Sequence, residues 1–329
     1  MPLLLSETDV RAVLPMDDLI DAMETALDRF SSGGANQPLR SVIDVGAHGS
    51  DHAFYGVMPA LVRDPPALGT KLVSVFSANA GRGLPTHLAT IVLLDPETGA
   101  LAAIVDGRYI TEARTAAVSA ASARHLARET ADVLAVLGTG VQARSHIDAL
   151  MRVRPLREIR VWGRTAAHVE ALIGEMQPRV NAKMRAARSA ADAADGAAII
   201  ALVTASTEPV LTSNMVADGT HICAVGACRP TQREMDTALV RRARVFVDSR
   251  TGALAEAGDI VIPIKEGVVD ASHIAGELGD VFGRRLEGRQ RALDVTLFKS
   301  LGMAVEDIAA ARLAWERACG CGLGRGFVL

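Results

Sequence analysis

Aromatic residues are scarce in this chain: two tryptophans, two tyrosines and seven phenylalanines among 329 residues. With 49% hydrophobic residues and so few rings, the cores must be built from alanine, valine, leucine and isoleucine, a composition suited to helix and parallel sheet. Cysteine is sparse too. Cys223, Cys228, Cys319 and Cys321 form no C-x-x-C pair, which argues against a disulfide framework and leads us to expect reduced thiols in a cytoplasmic protein. Neither sign of charge dominates: the net charge is −3 and there is no polybasic run, so nothing electrostatic calls for nucleic acid or an anionic membrane. No apolar run approaches the ~18 residues of a spanning helix, and no basic stretch precedes the short apolar segment Leu3-Leu4-Leu5, so neither membrane insertion nor export is expected. A small molecule is the partner class that these absences leave.

The length suits two cores better than one. Ser6 with Asp9, then Pro15 and the apolar series Leu19, Ile20, Met23, Ala26, Leu27 and Phe30, predict opening helices that stop at Ser31-Ser32-Gly33-Gly34. Short β-rich runs follow at 41–45, 53–58, 71–76, 90–94 and 101–105, the last two joined by the turn-former series Asp95-Pro96-Glu97-Thr98-Gly99. They predict an antiparallel or mixed sheet. An alanine-rich helix is expected over 111–127. Beyond it, apolar strands at 133–137, 158–162, 197–203, 221–225 and 245–247 alternate with helices at 141–151 and 166–176, and a long helix is read from Lys299 to Cys319. The fold class is α/β: a Rossmann-type doubly wound parallel sheet over 116–299, and a second, α+β substrate domain over 1–115 and 300–329.

Gly138-Thr139-Gly140-Val141-Gln142-Ala143 stands directly after an apolar strand and directly before a helix. Two glycines there permit a tight turn and close approach of a pyrophosphate to the helix N-terminus. Gly138, Thr139, Gly140, Val141 and Gln142 are therefore candidate dinucleotide contacts, with Thr204 after the 197–203 strand. The second strand ends Val161-Trp162-Gly163-Arg164-Thr165, without the carboxylate that would hold the ribose hydroxyls of NAD; Arg164 and Thr165 suit a 2′-phosphate, so NADP(H) is expected in preference to NAD(H).

In the first domain, Arg40, Lys71 and Arg114 are cations set in or beside apolar or small-residue stretches. Lys71 must either snorkel out of its strand or line a polar cleft. Arg114 alone reads as a solvated residue or half of a Glu–Arg pair, whereas two arginines in one cleft would clamp a carboxylate. His48, Asp51 and His52 read as a turn rather than a metal site; His87, near the Leu84-Pro85-Thr86 turn, could face the active site, although a surface or structural histidine is the commoner outcome; no metal is expected.

Taken together, Gly56-Val57-Met58-Pro59-Ala60, Thr70-Lys71-Leu72-Val73, Arg114-Thr115-Ala116-Ala117, the Gly138 loop, Trp162-Gly163-Arg164-Thr165, Thr207-Glu208-Pro209 and Phe298-Lys299-Ser300-Leu301-Gly302-Met303-Ala304 resemble the ornithine cyclodeaminase/mu-crystallin family. The resemblance is closer to its ketimine reductase and 1-pyrroline-2-carboxylate reductase members. It implies a homodimer, small amino or imino acid substrates, and carboxylate-binding and catalytic roles for Arg40, Lys71 and Arg114. Cyclodeaminases of the family carry a catalytic aspartate where this chain has Cys228, in Gly226-Ala227-Cys228-Arg229-Pro230. That departure disfavours ornithine cyclisation, since a carboxylate is needed to handle the second amine. The expected activity is NAD(P)H-dependent reduction of cyclic imino acids to L-amino acids; the alternatives are the cyclodeaminase lyase, a related dehydratase and an NADPH-dependent ligand-binding protein.

Overall fold

The computed structural model describes residues 1–46 and 53–328; His48, Asp51 and His52 lie outside the described residues. The chain divides into two compact units, Met1–Arg114 with Met303–Leu329, and Thr115–Gly302.

The first unit opens with strand β1 (Leu3–Leu5), helix α1 (Glu7–Val13) and helix α2 (Met16–Ser31). Ser6 and Asp9 form the reciprocal cap that their spacing predicts: Asp9 Oδ2 accepts from the Ser6 amide, and Ser6 Oγ accepts from the Asp9 amide. α2 buries Leu19, Ile20, Met23, Ala26 and Leu27, and Gly33 ends the segment at φ +82°. Strands β2 (Ala35–Asn36), β3 (Ser41–Asp44), β4 (Ala53–Arg63), β5 (Pro66–Phe76), β6 (His87–Leu94) and β7 (Leu101–Asp106) follow. The sheet runs β1-β7-β6-β5-β4-β2, with β3 also on β4 and a short Arg325–Gly326 strand outside β1. It is mixed, because β1 and β7 are parallel and the remaining pairs antiparallel. β4 and β5 run longer than the apolar signal suggests. Pro59 is tolerated at an exposed position, and Gly69 stands where a Cβ would come within 2.3 Å of the Val92 carbonyl oxygen.

The C-terminal helix (Ala304–Cys321) packs on α2 and on β4, β5 and β6. The reading of a helix from Lys299 is corrected: Lys299 ends a strand, and Gly302, at φ +78°, turns the chain before the helix begins at Ala304. Helix α3 (Gly107–Leu126) starts earlier than predicted, with Asp106 Oδ1 accepting from the Tyr109 amide.

The second unit is a parallel sheet of β8 (Val133–Leu137), β9 (Glu158–Trp162), β10 (Lys183–Ala186), β11 (Ile199–Leu202), β12 (His221–Ala224), β13 (Arg244–Val247), β14 (Ile274–Glu277) and β15 (Thr296–Lys299). Its order is β10-β9-β8-β11-β12-β15-β13-β14, so the winding reverses beside β8, between β9 and β11. Helix α4 (Val141–Val153) follows β8, and α5 (Ala166–Met176) follows β9. Every residue of β8, β11, β12 and β15 is buried, as expected of strands covered on both faces. Among the described residues no helix is long and apolar enough to cross a membrane.

Candidate active site

Strand register puts Lys71 on one face of the first unit's sheet with its cross-strand partners Met58 and Ile91. The C-terminal helix covers that face and brings two acids to it. Lys71 Nζ lies 2.5 Å from Asp307 Oδ2, Arg114 Nε donates to Asp307 Oδ1 at 2.9 Å, and Arg114 Nη1 donates to Glu306 Oε2 at 2.7 Å. Lys71 and Arg114 are 2% and 4% exposed, and both acids are fully buried. Lys71 also reaches Thr111 Oγ1 at 3.5 Å, and that hydroxyl donates to the Gly107 carbonyl.

The electrostatics follow from this packing. Burial lowers the Lys71 ammonium from 10.5 to about 8, against the opposing pull of Asp307, and the charges of Arg114 and Arg40 push the same way as burial. Asp307 stays below the usual carboxylate range, because Arg114 and Lys71 outweigh the upward push of burial. Arg40, on the β2–β3 connection, therefore acts within reach of Lys71. So does His87. Burial first, then the Lys71 and Arg114 charges, press its pKa to about 4, so it is a neutral imidazole beside the cluster. Of the two readings of His87, the one facing the cluster fits these neighbours. Counting Arg40, Lys71 and Arg114 against Glu306 and Asp307, the cluster carries one net positive charge.

Neither acid was foreseen. Their only local signal is position: adjacent carboxylates in the first turn of an apolar helix ordinarily read as complements to the helix dipole. Arg114 is indeed half of a Glu–Arg pair, but its partners stand 192 and 193 residues away rather than on its own helix.

In the second unit the remaining candidates line the C-terminal edge of the sheet. Gly138 has φ +126°, and a Cβ there would stand 2.5 Å from the Val203 carbonyl oxygen, so only glycine fits. At Gly140 a Cβ would meet nothing within 4 Å. Gly140 is the N-cap of α4 and provides no side-chain cap, while Gln142 Oε1 is buried with no hydrogen-bond partner. An uncapped helix start and open space at the second glycine together suit an anionic ligand. Arg144 braces the loop by donating to the Thr139 and Gly140 carbonyls at 3.1 and 3.2 Å. A Cβ on Gly163 would lie 2.8 Å from Thr139 Cγ2, so the end of β9 abuts the same loop. Arg164 and Thr165 beyond it are exposed, and the Thr165 side chain makes no capping bond to α5.

Across the sheet, Thr204 Oγ1 donates to Glu234 Oε1 at 2.8 Å. Cys228 is exposed, and its thiol donates to the Val225 carbonyl at 3.3 Å. All four cysteines are free.

The family model for the ornithine cyclodeaminase/mu-crystallin family matches residues 1–322. The chain belongs to this family. It is 40% identical to the rat (Rattus norvegicus) ketimine reductase mu-crystallin over 321 residues, 96% of this chain and 97% of that protein. The solved structure of Thermococcus litoralis Delta(1)-pyrroline-2-carboxylate reductase with NADH and L-proline superposes with a TM-score of 0.95 at 37% identity, covering 99% of this chain and all of that one. An archaeal alanine dehydrogenase dimer with bound NAD superposes at 0.93 with 28% identity, over 99% of both chains.

Proposed function

We propose that this family member is a nicotinamide-dependent reductase that converts small cyclic imino acids of the 1-pyrroline-2-carboxylate or 1-piperideine-2-carboxylate type into L-amino acids. The observation that carries the reading is the buried cluster of Lys71 and Arg114 with Glu306 and Asp307, to which Arg40 adds its charge. A net charge of one suits a monocarboxylate. Arg40 and Arg114 bind and orient that carboxylate, and Lys71 faces the imine nitrogen as the acid that protonates it. The bound cofactor supplies the hydride pair for the imine carbon. The proton and the hydride together balance the change from C=N to CH–NH. The first unit binds substrate and the second binds the dinucleotide.

Gly138, Thr139, Gly140, Val141 and Gln142 hold the pyrophosphate, and Thr204 lies farther along the same edge. Arg164 with the Thr165 hydroxyl favours NADP(H) over NAD(H), because the β9 end offers no carboxylate to the ribose. Cys228, whose thiol donates to the Val225 carbonyl, offers no carboxylate of the kind that cyclodeamination needs. The decisive assay follows NADPH and NADH oxidation against a panel of cyclic imino acids, with ornithine and NAD as the contrasting reaction. Reduction with preferential NADPH use is expected; ammonia release from ornithine without net cofactor oxidation would overturn the reading.

The loop reading has its own test. Gly140→Ala adds a methyl group that meets no protein atom, so the melting temperature should hold within a degree or two, while NADPH affinity by fluorescence titration should fall at least tenfold. Unchanged affinity would remove the loop from the pyrophosphate site.

The protein acts as a homodimer in this reading. On the face of the first unit's sheet opposite Lys71, register aligns Ile43, Tyr55, Ser74 and Leu88, with Ile43 60% and Leu88 41% exposed. A second copy covers this apolar row. The double variant Ile43→Asp/Leu88→Asp should sediment as a monomer where the parent sediments as a dimer. A monomeric parent at micromolar concentration would refute the assignment.

A further inference from the structure

Glu234, Asp259 and Lys299 are fully buried in the second unit and belong to no step described so far. Four donors converge on the Glu234 carboxylate: the Thr204 amide and hydroxyl, both at 2.8 Å from Oε1, and the Gly226 and Ala227 amides, at 2.7 and 3.2 Å from Oε2. Burial pushes the Glu234 pKa up, but four donors on two oxygens fit an ionised carboxylate, which only accepts, with Lys299 and Thr204 opposing the push. Asp259 Oδ1 in turn accepts from the Glu234 and Met235 amides at 2.8 and 3.2 Å, and its Oδ2 lies 3.1 Å from Lys299 Nζ. The packing is too close for side chains at the crossings. A Cβ on Gly226 would lie 2.0 Å from the Thr204 carbonyl oxygen and 2.6 Å from Glu234 Oε1, and one on Gly258 would lie 1.9 Å from the Gln232 carbonyl oxygen.

The three segments so tied leave the C-terminal ends of β11, β12 and β15, which are consecutive neighbours in the sheet. Ligands of doubly wound sheets lie across the C-terminal edge at the point where the winding reverses. Here that point is beside β8. The ribose determinant is at the end of β9 on one side, so the other half of a dinucleotide extends over β11 and β12 on the other.

We infer that Glu234 is a positioning residue for the nicotinamide-bearing half of the cofactor, fixing the Thr204 and Gly226–Cys228 segments against each other while Asp259 and Lys299 hold its own backbone and charge in place. The inference rests on the dinucleotide reading of the Gly138 loop. Its consequence is a ligand split: the hub governs contacts on the β11–β12 side and leaves those on the β9 side untouched. In Glu234→Gln an amide N–H faces donors in place of an acceptor, so one side of the clamp opens.

The experiment titrates wild type and Glu234→Gln with NADPH and with 2′-phospho-ADP-ribose, which lacks the nicotinamide, by calorimetry, alongside thermal melts. NADPH should weaken at least tenfold and 2′-phospho-ADP-ribose by less than twofold, and Glu234→Asp should recover part of the NADPH affinity. Equal weakening of both ligands, or of neither, overturns the inference. A wild type that binds neither of these ligands, nor NADH or ADP-ribose, overturns the dinucleotide reading instead. If Glu234→Gln lacks a cooperative melt, Glu234→Asp, which keeps the charge and shortens its reach, is read by the same contrast: a selective NADPH loss supports the assignment, and equal effects on the two ligands reject it.

Discussion

Lys71→Met should lower kcat for imine reduction by about 10²–10⁴-fold, the usual contribution of a general acid, and leave NADPH affinity unchanged. It should not cost stability. The fall of Lys71 from 10.5 to about 8 means that the folded protein disfavours the ammonium relative to water, by about 3 kcal/mol at neutral pH. Removing Lys71 relieves the penalty, and Asp307 retains Arg114 as partner at 2.9 Å, so the variant should melt at or slightly above the parent temperature. The same shift fixes a pH dependence. Because Lys71 must carry its proton to act as an acid, kcat/KM should decline as pH rises through about 8. The substrate imine titrates as well, but it does so equally for parent and variant. Lys71→Arg, which stays charged throughout, should therefore lose the limb near pH 8 along with most of the turnover. Stability runs the other way: with the folded value below the unfolded one, the penalty disappears as pH rises from about 8 to 10.5. Activity of Lys71→Met within tenfold of the parent would exclude the acid role.

How much of this was legible in the sequence depended on whether each feature is local. β9 and α5 stand at the predicted residues, because a bounded strand run and an apolar helical period are properties of a few consecutive side chains. The Gly138 loop was legible for the same reason, and its φ of +126° shows why glycine is there. Lys71 could be singled out as a charge within a strand, but its surroundings could not. What surrounds it is the buried cluster completed by Asp307, paired with Lys71 and Arg114, and Glu306, paired with Arg114, which chain topology delivers from the far end of the sequence. Glu234 and Asp259 escaped notice likewise, since their partners are backbone amides and a lysine whose spacing carries no pattern. Lys299 was misread as helical because an apolar strand followed by an apolar helix leaves one periodic-looking stretch, and only the left-handed Gly302 divides it. His87 was undervalued because the register that aligns β6 with β5 is not written in either strand alone.

Asp307→Ala should be the most destabilising single substitution in the first unit's cluster. Its carboxylate is shared by two buried cations, Lys71 Nζ at 2.5 Å and Arg114 Nε at 2.9 Å, and removing one partner of a buried ion pair costs about 3–5 kcal/mol; here Arg114 keeps Glu306 but loses Asp307, and Lys71 loses the acid paired with it. That corresponds to a fall in melting temperature on the order of 10 °C. Lys71 can escape by releasing its proton, which Arg114 cannot do, so the variant should also lose its acid at neutral pH. The alkaline limb of any residual activity should accordingly move to lower pH. Acidification supplies the sign test. Asp307 sits below its usual 3.8 in the folded state, so its contribution to stability is present above that value and is lost as pH falls through the folded one. Parent and Asp307→Ala should therefore differ most near neutrality, and their denaturant midpoints should converge below about pH 4. Asp307→Asn keeps the shape but not the charge, and should follow the alanine variant in its pH profile while recovering part of the lost packing. A constant stability difference from pH 7 down to pH 3 would mean that Asp307 contributes through packing alone, and Lys71 would then owe its protonation to some other group.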